Sequence, residues 1–237
     1  MFQSAFDLEG VFPPRGYGRL LPMKRFDFSF EGTRVIQMVT GQIQENAYLV
    51  IHNSGDALLV DPGDDADKIL ELIRLEQANV KAILLTHAHF DHIGAVQQTR
   101  EALNCKVYLH EDAFTSYSRA HIAPARYNLP FVQPETPDEQ LAVGPHKFGS
   151  LELTALFTPG HAPGHLAFYF SSGFVLSGDA LFAGSIGRTD IPSGDMGLLL
   201  ERIRTQLYTL PDDTVVLSGH GRDTTIGREK ASNPFTT

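Results

Sequence analysis

Between residues 86 and 92 the chain reads Thr86-His87-Ala88-His89-Phe90-Asp91-His92, three histidines and an aspartate within six positions. The stretch follows the apolar run Ala82-Ile83-Leu84-Leu85 and precedes a helix-like segment, Ile93 to Leu103. Imidazoles and a carboxylate gathered at the end of a buried strand are costly without partners, and crowded imidazoles repel once protonated. A divalent cation removes both costs.

Four more places repeat one theme, in which a strand ends, small residues follow and a ligand-type side chain appears. They are Asp61-Pro62-Gly63, Thr158-Pro159-Gly160-His161, Ser177-Gly178-Asp179 and Ser218-Gly219-His220. Strand ends on one sheet edge can bring such distant residues together, and the glycines permit tight turns and close backbone approach. His87, His89, Asp91, His92, His161, Asp179 and His220 make seven potential ligands, enough for two metal ions. In an extended segment His87, His89 and Asp91 would point the same way, while His92 opens the next helix and turns aside. One ion would then take His87 and His89 and the other Asp91 and His92. His161 and His220 complete the two shells, and Asp179 is the natural bridging carboxylate. Nitrogen and oxygen donors suit zinc, iron or manganese without choosing among them, and two divalent ions, zinc first, are the expected cofactors.

The elements that must position these residues follow from the apolar patterning. Residues 34–39, 46–52 and 57–60 read as strands, 64–77 as an amphipathic helix, 80–85 as the strand leading into the histidine cluster, 93–103 as a helix and 106–109 as a strand. Residues 110–148 are irregular and carry five prolines, too long for a plain connection. Strands resume at 151–157, 165–170 and 174–176, then a helix at 196–208 and a last strand at 214–217; the tail from Gly219 reads as a polar cluster. Two halves that each mix strands with helices predict an α/β fold, a four-layer αββα sandwich over residues 34–237. Residues 1–33, rich in Phe, Gly and Pro with little periodicity, are expected to form an N-terminal arm.

The chain has 237 residues, 42% of them hydrophobic, and a formal net charge of -9. No basic run suggests a nucleic-acid surface, and no apolar stretch is long enough to span a bilayer. With Cys105 as the single cysteine, an intramolecular disulfide and a cysteine-based metal cage are both excluded. The first ten residues do not read as a secretory signal, so a cytoplasmic location is expected. The acidic balance means that an anionic substrate would need a local positive pocket.

The H-x-H-x-D-H cluster, followed in order by T-P-G-H, G-D and G-H, resembles the metallo-β-lactamase superfamily. The segments 158–165, 177–190 and 218–221 are similar to those of short bacterial glyoxalase II (hydroxyacylglutathione hydrolase). That resemblance implies that His87, His89 and His161 hold one ion, that Asp91, His92 and His220 hold the other, and that Asp179 and a hydroxide bridge them. It implies a hydrolase acting on a small-molecule thioester such as S-lactoylglutathione by attack of that hydroxide, with Asp91 also orienting the nucleophile. Full-length glyoxalase II carries a C-terminal helical domain with basic residues for the glutathione carboxylates, and no counterpart to it is expected in residues 1–237. A Lys and an aromatic hydroxyl of that family fall near Arg188 and Asp190. Arg188 can replace the cation, but Asp190 cannot replace a tyrosine. The alternative on the same fold is a mononuclear-iron persulfide dioxygenase, whose relatives share the Gly187-Arg188-Thr189-Asp190 segment.

Of the remaining residues, Arg188 is the best candidate for an anionic substrate contact, with Arg222 a weaker version. His165 is either a supporting hydrogen-bond partner or a structural strand-start residue. Asp61 either supports the metal loop or ends a strand. Cys105 reads as a small buried hydrophobe. Tyr117, Arg126 and Tyr127 sit in the long irregular segment without an assigned place.

Overall fold

In the computed structural model, which describes residues 23–126 and 129–237, the early apolar runs pair as an antiparallel meander. Its strands are β1 (Arg25–Phe30), β2 (Thr33–Thr40), β3 (Glu45–His52) and β4 (Asp56–Val60). Helix α1 (Ala66–Leu75) crosses over to β5 (Asn79–Leu84), parallel to β4. Helices α2 (Phe90–Ile93) and α3 (Val96–Leu103) cross to β6 (Lys106–Leu109). After α4 (Phe114–Ser118) and α5 (Ile122–Arg126), the short β7 (Glu139–Gln140) completes a sheet in the order β1-β2-β3-β4-β5-β6-β7.

The second sheet is again a meander followed by a parallel crossover. Strands β8 (Gly144–Phe148), β9 (Leu151–Phe157), β10 (Leu166–Phe170) and β11 (Phe174–Gly178) are antiparallel neighbours. A ribbon of β12 (Leu181–Phe182) and β13 (Ser185–Ile186) then leads to α6 (Met196–Arg202). Asp195 caps α6 by accepting from the Leu198 amide. A π-helical turn, Ile203–Leu207, carries the chain to β14 (Val215–Ser218), which lies parallel to β11. The edge strand β15 (Thr224–Thr225) and α7 (Ile226–Ser232) finish the fold.

Successive residues of the central strands face opposite layers, and both layers are dry. Leu58, Leu84 and Tyr48 meet Phe168, Phe174 and Leu176 between the sheets. Leu59, Leu49 and Ile83 face outward onto Ile69, Leu72 and Val96 of α1 and α3. Val175 and Val216 face outward onto Leu199, Ile203 and Ile226 on the opposite side. Burial on both faces is why these strands read as nearly continuous apolar runs. The result is the expected four-layer αββα sandwich.

Several boundaries differ from the sequence reading. Residues 25–30 were expected in the arm, but β1 pairs along its whole length with β2, so the sheet begins at least as early as Arg25. Residues 1–22 of that arm lie outside the described residues. The helix expected over 93–103 is broken at Gly94-Ala95, and its first turn starts at Phe90. Within 110–148 lies β8, a full edge strand, and the polar tail contains α7.

For function, the direction of the strands matters most. β9 and β11 both run antiparallel to β10, and β14 runs parallel to β11, so all three end on one side. The ends of β4 and β5 meet them there. The Leu166 amide donates to the Thr86 carbonyl at 2.8 Å, and the Asn46 amide to the Gly219 carbonyl at 2.8 Å, stitching the two sheets at this edge.

Candidate metal centre

The chain stays extended from β5 to His89 (φ -72°, ψ 147°) and then turns into α2. Alternation therefore aligns only His87 and His89; Asp91, expected on the same extended face, lies already in the helical turn with His92. The turn separates the cluster into two pairs. Gly63 lets the loop after β4 lie against it, since a Cβ there would sit 1.7 Å from the Asp91 carbonyl oxygen.

His161, from the loop after β9, joins the first pair. His89 Nδ1 lies 3.0 Å from His87 Nε2 and 2.9 Å from His161 Nε2, so three ring nitrogens converge on one point. His220, after β14, joins the second pair, with Nε2 3.3 Å from Asp91 Oδ2. Asp179, after β11, stands between the groups. Its Oδ2 lies 3.5 Å from His161 Nε2 and 3.6 Å from His220 Nε2, and its Oδ1 lies 3.4 Å from His92 Nε2. All seven residues singled out as ligands thus gather in one place.

Three of the histidines have their outward nitrogen occupied. His87 Nδ1 bonds Thr86 Oγ1 at 3.0 Å, and His161 Nδ1 bonds the Arg188 carbonyl at 2.8 Å. His92 Nδ1 bonds Asp61 Oδ2 at 3.1 Å. Because each outer nitrogen meets an acceptor, each carries a proton, and Nε2 is the nitrogen turned inward to be given to a cation. Asp61 also accepts from the Thr86 amide at 2.7 Å and its hydroxyl at 2.6 Å, which decides in favour of its supporting role. His165 Nε2 accepts from the Asp179 amide at 3.0 Å while its Nδ1 bonds Thr158 Oγ1 at 2.8 Å. It acts as a buried strut under Asp179.

Electrostatics divide the two groups. Burial first, and neighbouring imidazoles second, hold His87 well below the usual histidine range and His89 down at about 4. Burial also lowers His161, against the pull of Asp179. Burial pushes His92 down most strongly, but the carboxylates of Asp179 and Asp61 outweigh it and hold its pKa well above the ordinary value. His220 is raised in the same way by Asp91 and Asp179. Burial disfavours the Asp179 carboxylate, yet His92, His161 and His220 together keep it ionised far below the carboxylate range.

Two buried atoms, His92 Nε2 and Asp179 Oδ1, have no hydrogen-bond partner among the described residues, and their 3.4 Å separation is too long for a well-formed bond. Orphaned polar atoms of this kind are costly, and here both belong to the ligand set. An oxygen and nitrogen donor set with inward-turned ligand atoms, fixed outer protons and orphaned inner atoms fits divalent cations.

Sequence reasoning overlooked the residues that hold the His220 loop. Asn46 Nδ2 donates to the carbonyls of Ser218 at 2.9 Å and Gly221 at 3.0 Å, and Tyr48 Oη donates to Ser218 at 2.6 Å. Gln37 Nε2 in turn donates to Asn46 Oδ1 at 2.8 Å. Gly219 leaves the space that Asp179 Oδ1 needs, since a Cβ there would lie 2.2 Å from it. Glu45 was also missed. It is buried, accepts from Thr40 Oγ1 at 2.6 Å, and keeps its other oxygen unpartnered 3.8 Å from His92 Nδ1. Burial raises its carboxyl well above the usual range. The one trace in the sequence is polar side chains within otherwise apolar strands, which by itself does not separate a buried polar residue from a solvated face.

Arg188 reaches the centre through its backbone, while its exposed guanidinium forms a two-pronged contact with Asp190 at 2.8 and 3.1 Å. Arg222 lies beside His220 on a shallow cavity shared with Lys24 and Gln44. Tyr117 is buried on the Glu135 carbonyl, away from the ligands, and Tyr127 lies outside the described residues.

Comparison with known proteins points to one superfamily. A sequence profile of the metallo-beta-lactamase superfamily matches residues 40–220. The chain is 37% identical over 197 residues to the hydroxyacylglutathione hydrolase GloC of Haemophilus influenzae, covering 81% of this chain and 92% of that protein. Among solved structures, the B3 metallo-beta-lactamase BLEG-1 superposes with a TM-score of 0.82 at 39% identity, covering 86% of this chain and 99% of that one. TTHA1623 in a di-iron-bound form superposes with a TM-score of 0.79 at 44% identity, covering 84% of this chain and 98% of that one.

Proposed function

The chain belongs to the metallo-beta-lactamase superfamily, and on that premise we propose that it is a cytoplasmic hydrolase of small-molecule thioesters, working at a centre that holds two divalent ions. S-lactoylglutathione is the first substrate to assay. Zinc is the first metal to test, with iron and manganese beside it, because a similar protein is described in a di-iron-bound form. The observation that carries the reading is the second ligand group. Asp91, His92 and His220 converge as fully as His87, His89 and His161 do, with Asp179 between the two sets.

Two divalent ions held by these residues would lower the pKa of a water molecule to near neutrality and polarise the acyl carbonyl. The chain contributes the rest. His165, through the Asp179 amide, keeps that carboxylate aimed between the two groups. Thr86, Asp61 and the Arg188 carbonyl hold the outer imidazole protons, so the ligands need no reorganisation when an ion or a substrate arrives. Asp91 Oδ2, facing His220 Nε2, is the carboxylate positioned to orient a nucleophilic water. A thiolate departs readily, so a dedicated general acid is unnecessary. Arg188 is the proposed contact for an anionic thiol carrier, reached by exchanging Asp190 for the substrate.

The test is a substrate panel on metal-loaded protein: S-lactoylglutathione and other thioesters, a cephalosporin because of the likeness to BLEG-1, and glutathione persulfide with oxygen consumption recorded. We expect thioester cleavage with no oxygen uptake. Oxygen uptake on the persulfide without thioester cleavage would make the persulfide dioxygenase reading correct, and cephalosporin turnover alone would make it a lactamase.

A further inference from the structure

A second feature adjoins the centre from the side of Asp91. A cavity of ≈ 280 Å³ lies between the turn after β2 and the segment 129–132, and Phe90 and Asp91 form the wall it shares with the ligand cluster. Ile43, Phe90, Leu129, Phe131 and Val132 supply its apolar surface. Phe90 and Phe131 meet edge to face with centroids 6.3 Å apart, which holds that wall together. Ile43 and Val132 are 42% and 71% exposed, large apolar side chains left in water at its rim. Solvating such side chains is unfavourable, and grouped beside a reactive centre they mark a binding surface.

The charges around the cavity are one-sided. Asp64 and Asp91 are acidic, the Glu45 carboxyl beside them is pushed toward its neutral form by burial, and neither Lys nor Arg is among the described residues that line it. A glutathione carboxylate or a phosphate would find no cationic side chain to pair with among these residues. Arg188, paired with Asp190, lies on the opposite flank, where its backbone holds His161. A lactoyl group, one carbon bearing a methyl and a hydroxyl, leaves most of the space empty, since ≈ 280 Å³ corresponds to roughly nine waters at about 30 Å³ each.

We propose that this cavity is the acyl subsite and that it takes an uncharged, apolar acyl chain longer than lactoyl, with the thiol carrier on the Arg188 side. The inference rests on the thioester-hydrolase reading and narrows its substrate class to medium-chain or aromatic acyl thioesters. Gln98 offers an amide at the wall for a polar atom along the chain.

The experiment is a homologous series on one thiol, acetyl, butyryl, hexanoyl, octanoyl and phenylacetyl, beside lactoyl, with kcat/KM read for each. Burying each added methylene should raise kcat/KM by about fourfold, or ~0.8 kcal/mol, until the cavity is full. Phe131→Ser and, at the exposed rim, Val132→Lys should each lower the hexanoyl-to-acetyl ratio several-fold. Because the readout is a ratio within one protein sample, partial unfolding does not imitate it. A flat or falling series on an enzyme that still cleaves thioesters overturns the acyl subsite alone. A rising series that neither variant alters also overturns it. No cleavage of any thioester overturns the hydrolase reading instead.

Discussion

Asp61 shows how the centre is held at the level of single side chains. Its backbone is left-handed (φ 48°), an unfavourable conformation for a residue with a Cβ, and its carboxylate is buried. Both oxygens are used, by Thr86 and by His92, and these bonds offset the strain. Cys105 is the opposite kind of residue, near the core and without a chemical role. Burial pushes its thiol up to about 11, so at neutral pH almost none of it is thiolate. Iodoacetamide at pH 7.5 should therefore label the folded protein more slowly than the unfolded chain, on the order of tenfold or more. The sign follows from the raised value: between the ordinary thiol range and about 11 the unfolded thiol loses its proton first, so this group favours unfolding as pH climbs through that window. Equal labelling rates in the two states would remove the inert assignment. At this scale the ligands were legible because histidine and aspartate at strand ends are chemically conspicuous. Glu45 and Asn46 were not, because polar residues in a strand normally signal a solvated face, and only the fold reveals that both lie inside.

At the level of elements, the centre depends on loops carried by strands that end together. The His220 loop is fixed from across the sandwich, by Asn46 and Tyr48 of β3 with Gln37 of β2 behind them. Asn46→Ala would leave buried carbonyls at Ser218 and Gly221 short of donors, at a cost of about 2–4 kcal/mol. Denaturant melts should register that loss, and metal analysis should show the second site emptied before the first. Tyr48→Phe removes one of two donors to Ser218 and should cost only about 1 kcal/mol. A fully stable Asn46→Ala protein that keeps both ions would contradict this placement. The repeated pattern of strand, small residues and ligand was readable in the sequence since each strand there is a clean apolar run. β8 was not, because Gly144, Pro145, His146 and Lys147 make an edge strand without an apolar face. α7 buries only Ile226 and Glu229, so it has no apolar stripe to read. β1 did carry a signal, Phe26, Phe28 and Phe30 at period two, hidden by the Phe-rich segment before it.

Across the whole molecule, two similar halves each fold as a meander followed by a parallel crossover, and the ligand set straddles the edge where they meet. Neither half holds a complete set. His87, His89, Asp91 and His92 come from one, and His161, Asp179 and His220 from the other. Metal binding should therefore report on the docking of the two sheets as well as on local geometry. No helix among the described residues is long and apolar enough to cross a membrane. The most direct test of the account is a zinc titration of metal-free protein, with thioester hydrolysis followed in the same sample. The account predicts no turnover without metal and a maximum at two ions per chain. A maximum at one ion per chain, or turnover in the absence of metal, would contradict it.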